Sequence, residues 1–98
     1  MFDLRVLYAE DEDAIRIIFE RILKKFVKEL FVASNGEEAL ELYRQHQPDI
    51  ILTDIKMPKM TGFEMAEIVR SENKLIPIIA LSAHNDMEFF LEAIKLGV

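Results

Sequence analysis

Acidic and hydroxyl side chains stand at the ends of three apolar runs in this 98-residue chain. Glu10 and Asp11 end the first run, Asp54 ends the third, and Ser82 follows the fourth. A single Asp in such a place usually does no more than stop a strand in solvent. Open parallel sheets, however, bind ligands at the carboxyl ends of their central strands, so the positions have chemical meaning if the strands are parallel.

The hydrophobic pattern supports parallel strands. Apolar runs predict strands over residues 4–9, 30–33, 50–55 and 76–81. The third run lies between Pro48 and Pro58 and shows no alternation, which is typical of a strand buried on both faces. Apolar residues at helical spacing follow each run and predict four helices: Ile15, Ile18, Phe19, Ile22, Leu23 and Phe26; Ala39, Leu40 and Tyr43; Phe63, Ala66, Ile68 and Val69; Met87, Phe90, Leu91 and Ile94.

Two helix starts carry capping signals. Ser34 and Glu37 match the Ser-x-x-Glu capping box before the second helix. Asp11, Glu12 or Asp13 could cap the first helix or favour its positive end, which is sufficient explanation for Glu12 and Asp13.

Strict alternation of four strands and four helices predicts a parallel sheet with right-handed crossovers and helices on both faces. Glu10, Asp11, Asp54 and Ser82 then share one edge of the sheet. Three carboxylates this close cannot all stay ionised without a cation. Oxygen ligands suit a hard divalent ion, above all Mg²⁺, which also accepts a phosphate oxygen. A carboxylate beside such an ion can attack phosphorus and form an acyl phosphate, with the metal neutralising the transferring oxygens.

Composition narrows the function classes. Eighteen acidic against twelve basic residues give a formal charge of −6, so we expect no nucleic-acid binding by this domain. The chain has no Cys, which fits a reducing compartment and excludes disulfides and thiolate metal sites. No apolar run approaches the roughly 20 residues that cross a bilayer, and the N-terminus has no signal-peptide layout. We therefore expect a cytoplasmic protein without membrane contact.

These residues resemble a response-regulator receiver domain of two-component signalling. Glu10-Asp11, Asp54 with Met57-Pro58 and Gly62, and Ser82-Ala83 carry the resemblance, which extends from residue 4 to residue 98. It implies a flavodoxin-like fold, a three-layer α/β sandwich with strand order 2-1-3-4-5. It also implies a regulatory phosphoacceptor rather than an enzyme, whose partner is a histidine kinase or a phosphotransfer protein.

The resemblance also implies a role for each site residue. Asp54 would be the phosphoacceptor, and Asp11 and Asp54 would bind Mg²⁺ directly. Glu10 would bind it through water, and Lys56 through its backbone carbonyl. Ser82 would hydrogen-bond a phosphate oxygen and move toward it on activation. Glu10 stands where the family often has Asp, a change that its carboxylate should tolerate.

The family pattern continues beyond this sequence. Residues 1–98 read as one receiver domain with four βα units, and the fifth strand and helix of the family are missing. The family's lysine, which pairs with the phosphoryl group, is missing with them. The fourth strand would then be an exposed edge, so we expect either a homodimer, formed through that edge or by exchanged elements, or marginal stability.

Other functions have weaker support in the sequence. The acidic run from Glu10 to Asp13 lacks the glycine and distal glutamate of a calcium loop. Asp54-Ile55-Lys56 lacks the second Asp of a haloacid-dehalogenase-type phosphatase. The open alternative is a non-phosphorylated interaction module that acts by docking or oligomerising. His84, near the crevice, and Phe89, on the fourth helix, are candidates for modulating access and for partner contact.

Overall fold

Strands and helices alternate along the chain in a computed structural model that describes residues 2–81. The elements are β1 (Phe2–Ala9), α1 (Asp13–Leu23), β2 (Val27–Ala33), α2 (Gly36–His46), β3 (Ile50–Asp54), α3 (Gly62–Glu72) and β4 (Ile78–Leu81). Ser82, His84, Phe89 and the predicted fourth helix lie outside the described residues. Within residues 2–81, no helix is long and apolar enough to cross a membrane.

The four strands form one parallel sheet in the order β2-β1-β3-β4. This confirms the predicted α/β class and the predicted strand order as far as β4. Ala9, the last residue of β1, pairs with Ala33 on one side and with Thr53 on the other. Asp54 pairs with Leu81 in β4. The carboxyl ends of all four strands therefore lie at one edge of the sheet.

Each face of the sheet packs against its own helices. Leu7 of β1 and Ile51 of β3 belong to the core under α2 and α3, where Met65 and Val69 are fully buried. The alternate strand positions face α1, with the members Val6, Tyr8, Leu23, Val27, Leu52 and Leu81. Both faces of β1 and β3 are thus apolar. This confirms the prediction, made from the unalternated sequence of the third run, that β3 is covered on both sides.

Two local predictions about the first half of the chain are wrong. The first helix ends at Leu23 rather than near Phe26, because Val27 already begins β2 beside β1. Ile18, predicted to face the core, has 55% of its surface exposed, and the buried residue of α1 is Leu23. Of the acids at the start of α1, Glu12 occupies the N-cap position without a side-chain capping hydrogen bond, and Asp13 lies in the first turn, where it favours the positive end of the helix as predicted.

The capping box predicted at Ser34 and Glu37 does not form, and the helix is capped one residue later without the reciprocal bond of such a box. Asn35 is the N-cap of α2, and its side chain accepts the Glu38 N–H at 2.9 Å. Glu38 in turn accepts the Ser34 N–H at 2.7 Å. Several adjacent polar residues here are good N-caps, so the residue types alone do not show which of them occupies the N-cap position. A complete capping box that the sequence reading missed joins Thr61 and Glu64 at the start of α3.

The end of the sheet opposite the acidic residues is held by Arg5 of β1. The Arg5 side chain donates to Glu29 Oε1 at 3.0 Å and to the Gln47 carbonyl at 3.1 Å. The Arg5 backbone exchanges hydrogen bonds with Asp49, at 2.9 Å to its carboxylate and 2.7 Å from its N–H. The guanidinium also lies 5.4 Å from the centre of the Phe31 ring, in cation–π geometry. One side chain thus joins β1, β2 and the segment that leads into β3.

Candidate functional site

Three carboxylates from two strands meet at the carboxyl edge of the sheet. Glu10 and Asp11 directly follow β1, and Asp54 is the last residue of β3. One oxygen from each lies within 4.8 Å of the others. Glu10 is buried, with 8% of its surface exposed, whereas Asp11 and Asp54 are half-buried. The parallel register brings them together, since neighbouring strands end side by side.

Backbone N–H groups orient two of these side chains. Oδ1 of Asp54 accepts the Ile55 N–H at 2.8 Å, and Oε2 of Glu10 accepts the Glu12 N–H at 3.1 Å. Each carboxylate keeps its other oxygen for a further partner. The orientation is therefore set by local backbone, independently of any bound ligand.

Arg16 of α1 holds the backbone beside the acids, a role that the sequence reading missed. Its Nη1 donates to the Glu10 carbonyl at 3.0 Å, and its Nη2 pairs with Asp13 Oδ1 at 2.6 Å. Only 18% of the Arg16 side chain is exposed. The sequence signal for this role was a basic residue six positions after Glu10 and one turn into the helix that follows.

Burial and mutual repulsion perturb the acids. Burial, reinforced by the nearby Asp54 carboxylate, raises the pKa of Glu10 to about 7, against the opposing hydrogen bond from Glu12. Burial also raises the pKa of Asp54, and the charge of Asp11 adds to it. Tyr8, fully buried beneath the acids, has its pKa raised by burial and then by the charges of Glu10 and Asp54. The site therefore strongly favours a counter-charge.

The donor set fits a hard divalent cation. All three side chains offer oxygen, and three oxygens within 4.8 Å of one another can share one ion. Burial, with repulsion from the neighbouring carboxylates, raises the pKa of Glu10, and a cation between the carboxylates would offset both effects. Mg²⁺ suits a site with few protein ligands, because it retains several waters and accepts phosphate oxygens.

The loop after β3 is packed closely against Asp54. The Gly62 N–H donates to the Ile55 carbonyl at 2.9 Å, and a Cβ at Gly62 would overlap the Asp54 carbonyl oxygen. Thr53 Oγ1 donates to that same carbonyl oxygen at 2.9 Å. Lys56 is exposed in this loop, two residues beyond Asp54. The structure thus brings Glu10, Asp11 and Asp54 together and leaves Ser82 outside the described residues.

Comparison with protein families gives one match over nearly the whole chain. The family model described as "Response regulator receiver domain" matches residues 6–98. A probable transcriptional regulator, ycf27 of Guillardia theta, is 38% identical over 93 residues, which are 95% of this chain and 36% of that protein. Sporulation initiation phosphotransferase F of Bacillus subtilis strain 168 is 29% identical over 97 residues, 99% of this chain and 78% of that protein. This chain thus spans about a third of the first relative and most of the second.

Solved structures give the same result. The N-terminal domain of an uncharacterized protein from Wolinella succinogenes superposes with a TM-score of 0.78 at 37% identity, covering 97% of this chain and 77% of that one. The chemotaxis response regulator CheY4 of Vibrio cholerae superposes with a TM-score of 0.75 at 31% identity, covering 95% of this chain and 81% of that one.

Proposed function

Because the chain belongs to the response regulator receiver domain family, we propose that Asp54 accepts a phosphoryl group in a Mg²⁺-dependent reaction. The donor would be a phosphohistidine on a histidine kinase or on a phosphotransfer protein in the cytoplasm. The observation that carries the proposal is the cluster of Glu10, Asp11 and Asp54, whose oxygens lie within 4.8 Å at the carboxyl edge of the sheet. A fold that only docked would have no use for this costly gathering of like charges.

The Asp54 carboxylate has the geometry of a held nucleophile. Its Oδ1 is occupied by the Ile55 N–H, so the second oxygen attacks phosphorus. A P–O bond to Asp54 forms as the P–N bond of the phosphohistidine breaks, and the imidazole nitrogen keeps the electron pair. The product is an acyl phosphate on Asp54 and a free histidine on the partner.

The other residues bind and orient. We assign Asp11 and Asp54 as direct metal ligands, Glu10 as a ligand through water, and the Lys56 carbonyl as a further ligand. Mg²⁺ bound there supplies charge neutralisation for the phosphoryl oxygens. We assign Ser82 the hydrogen bond to a phosphate oxygen. The domain is thus proposed as a regulatory phosphoacceptor and not as a hydrolase that turns over.

Acetyl phosphate, a small phosphoryl donor, tests the proposal without a kinase. With Mg²⁺, intact mass spectrometry should show a gain of one phosphate group on the wild-type chain. Asp54→Asn should abolish the gain while leaving the circular dichroism spectrum unchanged. Asp3→Asn makes the same chemical change at an exposed residue of β1 and should behave like the wild type. No gain in the wild type would refute the proposal and favour the interaction module.

Metal binding tests the ligand assignment separately. We expect Asp11→Ala to weaken Mg²⁺ binding sharply in isothermal titration calorimetry, because it removes a direct ligand from the cluster. An unchanged Mg²⁺ affinity in Asp11→Ala would show that the assignment of ligands is wrong.

Self-association is a second proposal, supported by the position of β4. Among the described strands β4 pairs with β3 alone, and a strand edge without a partner can pair with another chain. We propose that two chains pair through this edge. Size-exclusion chromatography with light scattering should then report a dimer at high micromolar concentration, and a stable monomer there would refute the proposal.

A further inference from the structure

Two glycine N–H groups fasten the loop between Asp54 and α3. We call residues 55–61 the acceptor loop. At its C-terminal end the Gly62 N–H donates to the Ile55 carbonyl at 2.9 Å, which closes the loop on itself. Near the same end the Gly36 N–H donates to the Met60 carbonyl at 3.1 Å. Gly36 is the first residue of α2, so this second bond ties the acceptor loop to a different element.

The contact between α2 and the acceptor loop leaves no room for a side chain. A Cβ on Gly36 would overlap the Met60 carbonyl oxygen and would lie 2.8 Å from the Met60 Cβ. The first of these obstacles is backbone, which cannot swing away as a flexible side chain can. Any residue other than glycine at position 36 must therefore move the acceptor loop, α2, or both.

The acceptor loop has a conformation that it would not keep by itself. Lys59 adopts φ of 68°, a value that residues with a Cβ rarely adopt. The Met60 N–H donates back to the Pro58 carbonyl at 2.7 Å, which closes a three-residue turn around Lys59. Strained backbone of this kind persists where neighbouring contacts determine it. The Gly36 N–H donates to the carbonyl of Met60, the last residue of this turn.

We propose that Gly36 is a positioning residue for the phosphoacceptor site. Its contact with Met60 fixes the path of the acceptor loop, and the loop in turn places the Lys56 carbonyl beside Asp54. This inference rests on the proposed function, because it concerns the same metal site. It assigns to the start of α2 a part in metal binding, although no side chain of α2 belongs to the acidic cluster.

Gly36→Ala tests the inference by metal affinity. We expect at least a tenfold loss of Mg²⁺ affinity in calorimetry and a slower mass gain with acetyl phosphate. Tyr43→Leu is the matched control, since it disturbs a buried residue of α2 two turns away from Gly36. At a temperature where urea unfolding shows both variants to be folded, Tyr43→Leu should keep the wild-type Mg²⁺ affinity. Equal affinities in wild type and Gly36→Ala would overturn the inference.

Amide hydrogen exchange tests the positioning role of Gly36 on the wild-type chain, in case Gly36→Ala does not fold. Coupling between two sites is reciprocal, so if the Gly36 contact strengthens metal binding, metal binding must strengthen the contact. We expect saturating Mg²⁺ to slow exchange of the Gly36 amide at least tenfold. The amide of Asn73, which bonds Val69 at the far end of α3, serves as the control and should slow less. Equal slowing of the two amides would overturn the inference.

The two hypotheses fail in different ways. A wild-type chain that binds no Mg²⁺ and gains no phosphate overturns both the proposed function and the positioning role. A wild-type chain that binds Mg²⁺ and gains phosphate, while Gly36→Ala does both equally well, overturns only the positioning role.

Discussion

The stability of the metal-free domain should fall as pH rises, and the acid responsible should be Glu10. Burial and the neighbouring charge of Asp54 raise the pKa of Glu10 from 4.5 to about 7 in the folded chain. Between these two pH values the folded state holds a proton that the unfolded state has released. The free energy of unfolding therefore decreases with rising pH across this window and levels off above it.

The size of the decrease follows from the width of that window. At about 1.4 kcal/mol for each pH unit, the interval from 4.5 to about 7 gives a ceiling of about 3.5 kcal/mol. Water reaches the mouth of the site, where Asp11 is half-buried, and screens part of the repulsion. We expect a loss of about 1 to 2 kcal/mol between pH 4.5 and pH 8.

Urea unfolding at a series of pH values, without divalent metal, measures this loss directly. Glu10→Gln is the matched variant, because it keeps the shape of the side chain and removes the charge. Its profile should be flatter than that of the wild type, with a residual slope from Asp54, whose pKa is raised too. Above pH 7 the variant should be the more stable protein.

Above pH 7, Mg²⁺ should make the wild type more stable than Glu10→Gln. Ligand at a hundred times its Kd stabilises the folded state by about 2.7 kcal/mol, which exceeds the expected loss of about 1 to 2 kcal/mol, and the carboxylates must be ionised to bind it. Mg²⁺ should therefore stabilise the wild type most at high pH and hardly at pH 4.5. A wild-type profile that is flat without metal, or that rises with pH, would refute the reasoning about Glu10.

Two further predictions concern residues around the acids. Thr61→Ala removes the capping box of α3, in which Thr61 Oγ1 accepts the Glu64 N–H at 3.1 Å, and should cost about 1 kcal/mol in urea unfolding; Thr61→Ser should restore it. An unchanged stability in Thr61→Ala would contradict the capping role. Arg16→Ala removes the hydrogen bond to the Glu10 carbonyl and should lower Mg²⁺ affinity in calorimetry, with Arg16→Lys intermediate because lysine lacks the two-pronged guanidinium. Equal affinity in all three proteins would show that Arg16 does not position Glu10.

The sheet and its acidic edge were predictable because they depend on patterns that span whole elements. Unalternated apolar runs such as that around Leu52 indicate strands covered on both faces, and alternation with helices then implies parallel pairing. Parallel pairing places Asp54 and Glu10 at the same edge of the sheet, and the strand order, which the family resemblance implied, makes β1 and β3 neighbours. The alignment of Ala9 with Thr53 brings the ends of β1 and β3 together in this way.

The details that escaped the sequence depend on contacts between distant segments or on small energy differences. Nothing in the residue types near Gly36 indicates that its N–H meets Met60, 24 positions later. Asn35 and Ser34 cap helices about equally well, so the choice between them was decided by the loop that leads into α2. Ile18 fits the helical stripe and is nonetheless exposed. Helical periodicity shows which side of a helix is apolar, but it does not show how much of that side the rest of the protein covers.

The Arg5 contacts bear on which end of the domain can rearrange. They join three segments at one end of the sheet, whereas the opposite end gathers carboxylates that repel one another. Conflicting interactions of this second kind are local frustration, and they lower the local stability on which opening depends. The end around Arg5 is then the fixed base of the molecule. When charge is added at the acidic end, the rearrangement can be confined to the loops of that end, at little conformational cost to the rest of the sheet.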